Sequence, residues 1–337
     1  MKLGLAGAGR IGAMHAAHLA AVPGVDAVIV ADVDPARAAG VAERSGAHVH
    51  AAGGVDDLFD LGLDGLVVAA ATSSHAELVL RALASRLPVF CEKPVATDVA
   101  GTVAVVTENE RTGGFVQVGF QRRFDAGHVA AREAVRDGRL GFLHTLRCTT
   151  LDPAPPPAAY VAASGGIFRD CSVHDFDAVR WVTGREVVEV YARGANRGAE
   201  FFREAGDVDT GMALLTLDDG TLVVVSTTRY NAAGYDVRME LLGERDSLAV
   251  GFDDTTPLRS AEAGVDWPKG PPAATFVERF RAAYLAELRA FVDVLGGAAV
   301  PRSVCTPAEA LEASYVAEAC EASRRSGLPV RVAELRV

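Results

Sequence analysis

Lysine is nearly absent. Of 33 basic residues in a chain of 337, only Lys2, Lys93 and Lys269 are lysine. A chain that uses arginine for almost every cation makes each retained lysine informative, because lysine offers a compact, titratable ammonium where arginine offers a wide and permanently charged fork. A basic excess is missing too. Asp and Glu number 44, so the net charge is −11, which excludes nucleic acid as the main partner, since phosphate backbones need a clustered basic surface. No apolar run approaches the roughly 18 uninterrupted residues of a membrane span. The apolar N-terminal stretch is broken by Gly7, Gly9, Arg10 and His15, so it reads as a first β-strand and not as a signal peptide. Cysteine is sparse, with Cys91, Cys148, Cys171, Cys305 and Cys320 scattered and odd in number. They offer no paired metal-type spacing and suit reduced thiols in a cytoplasm.

What is present is ample apolar material, 50% of residues against 23% charged. The length exceeds the roughly 250 to 300 residues at which one core stops growing, so two domains are expected. Over residues 1–119, short apolar runs at Lys2–Ala6, Ala27–Ala31, Leu66–Ala70, Pro88–Cys91 and Phe115–Gly119 alternate with helix-like segments. That alternation is the mark of a doubly wound α/β sheet. Over 120–337 the strand candidates lie closer together: Val187–Tyr191, Gly211–Leu217, Thr221–Thr228 and Val237–Gly243, with Asp218-Asp219-Gly220 as a hairpin turn. An α+β domain with an open, mostly antiparallel sheet is expected there. Helices return at about Thr275–Leu295 and Pro307–Arg325, and Pro329–Val332 offers a last strand. The Pro-rich stretch Asp152–Pro157 reads as a stiff surface loop.

Gly7-Ala8-Gly9-Arg10-Ile11-Gly12 directly follows the first strand and opens a helix. In such a pattern Gly7 permits the tight turn, Gly9 admits pyrophosphate against the backbone, and Gly12 lets helix and strand pack closely. The free N–H groups of the helix start then face the phosphates. A second strand ends at Asp32, where a carboxylate can accept from the adenosine ribose hydroxyls. The same carboxylate would repel the 2′-phosphate of NADP, so NAD is the expected cofactor and NADP the less favoured one; Arg37 reads as a solvated helix residue.

Cys91-Glu92-Lys93-Pro94 stands at the carboxyl end of a strand, where open α/β sheets place ligand chemistry. Lys93 is one of the three lysines. In the second half, Gly165 to Asp177 opens a helix that carries Asp170 and His174 four residues apart on one face. Three chemistries fit that pair. A metal site needs a third ligand, which no motif supplies; a helix-start aspartate beside an incidental histidine is the bland reading; a carboxylate orienting an imidazole general base is what an alcohol oxidation requires.

Together the glycine fingerprint, Glu92-Lys93-Pro94 and the Asp170/His174 pair resemble the glucose-fructose oxidoreductase and inositol dehydrogenase (Gfo/Idh/MocA) family over essentially the whole chain. Within it, Gly119-Phe120-Gln121-Arg122-Arg123-Phe124-Asp125, Ser164-Gly165-Gly166 and His174-Asp175-Phe176-Asp177 look most like inositol 2-dehydrogenases. The resemblance implies NAD-dependent oxidation of a cyclic polyol, first of all myo-inositol, with His174 taking the hydroxyl proton, Lys93 stabilising the oxygen and Asp170 assisting. It implies cofactor contacts from Arg10, Ile11, Glu92, Thr72 and His75, the last two bordering the nicotinamide ribose. Substrate contacts fall on Gln121, Arg122, Asp152 and Tyr235, with only one of Arg122 and Arg123 in the pocket. The peptide before Pro94 is expected to be cis, and a homo-oligomer, tetramer or dimer, is expected through the open sheet. A sister sugar or scyllo-inositol dehydrogenase, the reverse ketone reduction, and a non-catalytic NAD-binding regulator are the alternatives. This chain has Thr72-Ser73-Ser74-His75 where relatives often have Thr-Pro, and Gln121 where they often carry an apolar residue or Asn.

Overall fold

A computed structural model describes residues 1–336 as two compact units, Met1–Phe124 with Ala282–Leu311, and Asp125–Arg281 with residues 312–336. In the first unit, strands β1 (Lys2–Ala6), β2 (Ala27–Ala31), β3 (Val49–Ala51), β4 (Gly65–Val68), β5 (Val89–Glu92) and β6 (Val116–Gly119) form one parallel sheet in the order β3-β2-β1-β4-β5-β6. Every residue of β4 and β6 is buried, as a parallel sheet covered on both faces requires. Helices α1 (Arg10–Ala20), α2 (Pro35–Ser45), α3 (Thr72–Ala84) and α4 (Val99–Thr112) connect the strands. Their limits follow from capping. Asp34 accepts from the Ala36 N–H with Pro35 at the first helical position, and Asp98 accepts from the Gly101 N–H. Gly113 ends α4 at φ 65°.

The order reverses between β1 and β4, so a crevice opens at the carboxyl ends of those two strands. The expected boundary at residue 119 shifts to Phe124, and a segment assigned to the second half returns to the first. Leu288, Phe291 and Val292 join Leu3, Leu5, Val28, Val67 and Phe90 in one apolar core, and Cys305 bridges Val118. Periodicity marks 282–295 as amphipathic but does not say which core receives its apolar face.

The second unit has a seven-stranded sheet, β12-β11-β7-β10-β9-β8-β13, built from β7 (Leu143–Leu151), β8 (Val187–Ala195), β9 (Thr210–Leu217), β10 (Leu222–Thr228), β11 (Asp236–Gly243), β12 (Ser247–Val250) and β13 (Val330–Arg331). Among the described residues, β7 with β10 is its one parallel pairing. Burial alternates along β9 and β10, so one face is covered and the other is open. The Asp218-Asp219-Gly220 hairpin is present, with Gly220 at φ 87° and the Leu217 N–H on the Thr221 carbonyl. Three strands went unread in the sequence, β3, β7 and β12. The longest of them, β7, is rich in Thr, His and Arg because its open-face positions are polar.

Candidate active site

The glycine loop does what its three glycines predict. A Cβ on Gly12 would lie 1.9 Å from the Gly7 carbonyl oxygen, and one on Gly7, at φ 107°, would lie 2.4 Å from the Ala69 carbonyl oxygen. A Cβ on Gly9 would meet nothing within 4 Å. Two glycines are thus demanded by packing, and the third faces open space of the kind a pyrophosphate needs. Helix α1 begins at Arg10 and Ile11 with no side-chain cap from Gly9, which leaves its first amides for an anion. Asp32 follows β2, with Oδ2 accepting from the Ala8 N–H at 2.7 Å and Oδ1 from the Asp34 N–H at 2.9 Å. It therefore holds the loop in place. Arg37 pairs with Asp34 at 3.4 Å and is exposed, so it does not neutralise Asp32.

Next to this cradle, at the end of β5, comes Lys93, and the Lys93–Pro94 peptide is cis. The turn is supported from behind. Buried His75, on α3, has Nδ1 at 2.8 Å from the Pro94 carbonyl oxygen and Nε2 at 3.1 Å from that of Ala70. Each ring nitrogen thus faces a backbone carbonyl, and His75 buttresses the turn. Thr72 is the first residue of α3, at the end of the β4 connection. Glu92 likewise turns inward: Oε1 is 2.6 Å from Nε2 of buried His15 on α1. Its place is between the phosphate-facing helix and the lysine turn, and a Cβ on Gly119 would come within 3.0 Å of its Oε2. After β6, Gln121, Arg122 and Arg123 are all buried. Arg123 donates to Glu309 at 3.0 Å. The Gln121 Oε1 is buried without a hydrogen-bond partner among the described residues.

In the second unit the strand register gathers the site. Because β7 and β10 run parallel with Leu151 opposite Thr228, the residues that follow them, Asp152 and Arg229, emerge side by side. Asp236 of β11 also pairs with Leu151, so Tyr235 reaches the same end of the sheet. The Arg229 guanidinium donates to Asp152 Oδ2 at 2.7 Å and to Asp170 Oδ2 at 2.6 Å, with the Cys171 Sγ at 3.4 Å. Burial opposes its charge, but Cys171, Asp170 and Asp152 outweigh that and raise its pKa above the ordinary arginine value. Tyr160 donates to the other Asp170 oxygen at 2.8 Å.

The expected regular helix through Asp170 and His174 is not quite what forms. Phe168–Ser172 is a π-helical turn, and the α-helix Val173–Thr183 starts just before His174 and ends at Gly184. The simple four-residue spacing of an α-helix therefore does not relate the two side chains, and Asp170 sits inside the turn, not at a helix start. Such π turns recur at functional sites. On the same helix, Asp175 is buried and accepts from the Thr150 hydroxyl. Tyr235 is buried with its ring against Phe276 and Phe280.

Asp152 and Asp170, both singled out in the sequence, meet here with Arg229 and Tyr160, which were not. Arg229 carries no local motif, and only the pairing of β10 with β7 could have found it. Among the described residues no group of three or more His, Cys, Asp or Glu is arranged for a metal ion, and no helix is long and apolar enough to cross a membrane.

Residues 1–120 match the model of an oxidoreductase family with an NAD-binding Rossmann fold, and residues 128–249 match that of the GFO/IDH/MocA C-terminal domain. The chain is 40% identical over 327 residues, 97% of its length and 98% of the relative's, to myo-inositol dehydrogenase Hyg17 of Streptomyces leeuwenhoekii. It is 35% identical to the myo-inositol 2-dehydrogenase of Thermotoga maritima over 87% of each chain. Among solved structures, the scyllo-inositol dehydrogenase of Lactobacillus casei with bound NAD(H) and scyllo-inositol superposes with a TM-score of 0.84 at 28% identity, covering 99% of both chains.

Proposed function

The chain belongs to the GFO/IDH/MocA oxidoreductase family, and from that premise we propose that it is an NAD-dependent dehydrogenase of a cyclic polyol, oxidising the 2-hydroxyl of myo-inositol. One observation carries the reading most directly: the dinucleotide cradle and a rare lysine stand at carboxyl ends of the same parallel sheet, with Gly9 facing open space and Lys93 on a buttressed turn. The names of the relatives, myo-inositol and scyllo-inositol dehydrogenases, point to the substrate class.

Bound NAD would supply the hydride acceptor. The first amides of α1 hold the pyrophosphate, and Asp32 accepts from the adenosine ribose. His174 takes the hydroxyl proton as general base. Lys93 lends a compact positive charge to the oxygen as that proton leaves, where a guanidinium fork would be too wide. Asp170 offsets the charge that develops on the imidazole. Asp152, Arg122, Gln121 and Tyr235 hold the remaining hydroxyls.

A second copy of the chain covers the open face of the seven-stranded sheet, giving a dimer or tetramer. Tyr191, Leu214 and Val224 are exposed and adjacent in register, flanked by exposed Val188, Met212 and Leu222. The five buried thiols suit a reducing cytoplasm.

The test is a panel of inositols and hexoses with NAD, followed by NADH absorbance, with His174→Ala and Lys93→Met assayed on the best substrate. Each substitution is expected to lower turnover by about 10²- to 10⁴-fold with NAD still bound. Near-normal turnover in both, beside an active parent, would make the assigned roles wrong.

A further inference from the structure

We propose that Arg229 is a positioning residue that sets Asp152 and Asp170 in one fixed relation, so that the carboxylate holding the polyol and the carboxylate assisting His174 are aligned by a single guanidinium. The proposal rests on the roles given above to Asp152 and Asp170.

Its foundation is the parallel pairing of β7 and β10. The Asp152 N–H donates to the Thr228 carbonyl at 2.9 Å, and the Arg229 N–H donates to the Asp209 carbonyl at 2.8 Å. Both backbones are therefore tied to the sheet where its strands end. Asp170 comes from elsewhere, the π-helical turn Phe168–Ser172. Nothing in the sheet register dictates where its carboxylate should point. Arg229 does: one terminal nitrogen takes Asp152 at 2.7 Å and the other takes Asp170 at 2.6 Å. The guanidinium is planar and its nitrogens are held at a fixed distance and angle, so contacts from its two ends fix the carboxylates relative to each other. A lysine ammonium could neutralise the pair but could not impose that spacing.

The charge count points the same way. Two carboxylates meet one buried guanidinium, and without it they would face each other in a largely dry environment. One of them would then take up a proton or turn to solvent. The remaining Asp170 oxygen accepts from Tyr160, a half-exposed residue of the short helix Ala158–Ala163. Tyr160 can trim the orientation of Asp170 but brings no charge. Neither Arg229 nor Tyr160 needs to touch the substrate for these effects.

The experiment uses the full chain, the best polyol from the panel and saturating NAD. Arg229→Lys keeps the charge and loses the fork. It is expected to melt close to the parent and to bind NAD within about 2-fold, while kcat/KM falls about 10²-fold, the scale at which small misplacements act. Arg229→Ala should recover part of kcat on addition of guanidinium and none with ammonium. A folded Arg229→Lys with parental kcat and KM overturns the proposal, as does an Arg229→Ala that both cations rescue equally.

Should the lysine variant not fold, a milder pair decides. Asp152→Asn alone is expected to raise KM and spare kcat, because Arg229 still holds Asp170; adding Arg229→Gln to it should then lower kcat at least about 10-fold. No further change in kcat refutes the positioning role. Asp170→Asn run alongside separates this inference from the reading beneath it. Normal turnover there overturns the role of Asp170 and the proposal with it, whereas an impaired Asp170→Asn beside a normal Arg229→Lys overturns the proposal alone.

Discussion

In the first unit the loop after β1 is shaped by backbone: a glycine with open space above it, the uncapped first amides of α1, the carboxyl ends of parallel strands. The second unit instead presents ionised side chains, Asp152, Asp170 and Arg229, that hold one another. The two constructions fail differently. A backbone cradle is lost when an atom intrudes on it, since main-chain atoms cannot move aside without refolding the loop. A charged cluster is lost when a partner is removed, because the groups left behind are partly buried and unbalanced.

The largest effect expected from this contrast is at Gly12. Its Cβ would overlap the Gly7 carbonyl at 1.9 Å, so Gly12→Ala should abolish measurable NAD binding and lower the melting temperature of the first unit. Gly9→Ala, with nothing within 4 Å of the new carbon, should melt like the parent and lose NAD affinity alone. Calorimetric titration and thermal unfolding of both variants check this; equal behaviour of the two would break the comparison.

The same contrast explains what could be read from the sequence. Gly7, Gly9, Gly12, Asp32 and Lys93 lie within one strand or turn of a recognisable signal, because a backbone site is encoded by the residues that shape the local chain. Asp170 and His174 were visible as a spaced pair, yet the π-helical turn was not, since nothing in Phe168–Ser172 breaks an α-helical pattern. Arg229 lies 77 residues from Asp152 and 59 from Asp170. Its pairing depends on β7, a strand whose polar open face hid it. The helix Arg281–Leu295 was legible as a helix, but its burial against the first unit's core was not, because an apolar stripe does not name its partner.

Asp32 sharpens the boundary between the two constructions, being a side chain that serves a backbone cradle. Asp32→Ala removes both the ribose acceptor and the anchor of the Ala8 and Asp34 amides. Loss of a hydrogen-bonding charged group is typically worth about 1.5 to 3 kcal/mol, so kcat/KM for NAD should fall about 10- to 100-fold. Activity with NADP should rise relative to NAD as the repulsion goes. Asp32→Asn, which keeps one acceptor oxygen for the loop, should lose less. Steady-state kinetics with both cofactors decide, and an unchanged cofactor ratio would remove Asp32 from the discrimination.

Acid should loosen the second unit by way of Asp125. This buried residue caps the helix Ala126–Arg136 and meets His128 Nδ1 at 2.7 Å and Arg279 at 2.9 Å. Burial alone would raise its pKa; His128 and Arg279 outweigh it and hold the carboxyl below the usual carboxylate range. A folded pKa below the unfolded value of about 3.9 gives stabilisation that is complete above the unfolded pKa and lost as pH falls through the folded one. Asp125→Asn should thus cost about 1 to 3 kcal/mol at neutral pH, and the gap from the parent should narrow below about pH 4. Both tryptophans, Trp181 and Trp267, belong to the second unit, so urea unfolding followed by their fluorescence reads that unit. A gap independent of pH would show that the carboxylate charge is not what stabilises the cap.

The smallest effect tests whether Gln121 contributes to polyol binding. Gln121 is 3% exposed and its Oε1 has no hydrogen-bond partner among the described residues. A buried unsatisfied acceptor typically costs about 1 to 3 kcal/mol, and a hydroxyl donor from a ligand would satisfy it. Replacing it by an apolar side chain of similar length removes that cost. Gln121→Met should therefore melt at or slightly above the parent temperature while KM for the polyol rises several-fold, with kcat and NAD affinity held. A lowered melting temperature at unchanged KM would make Gln121 a structural residue.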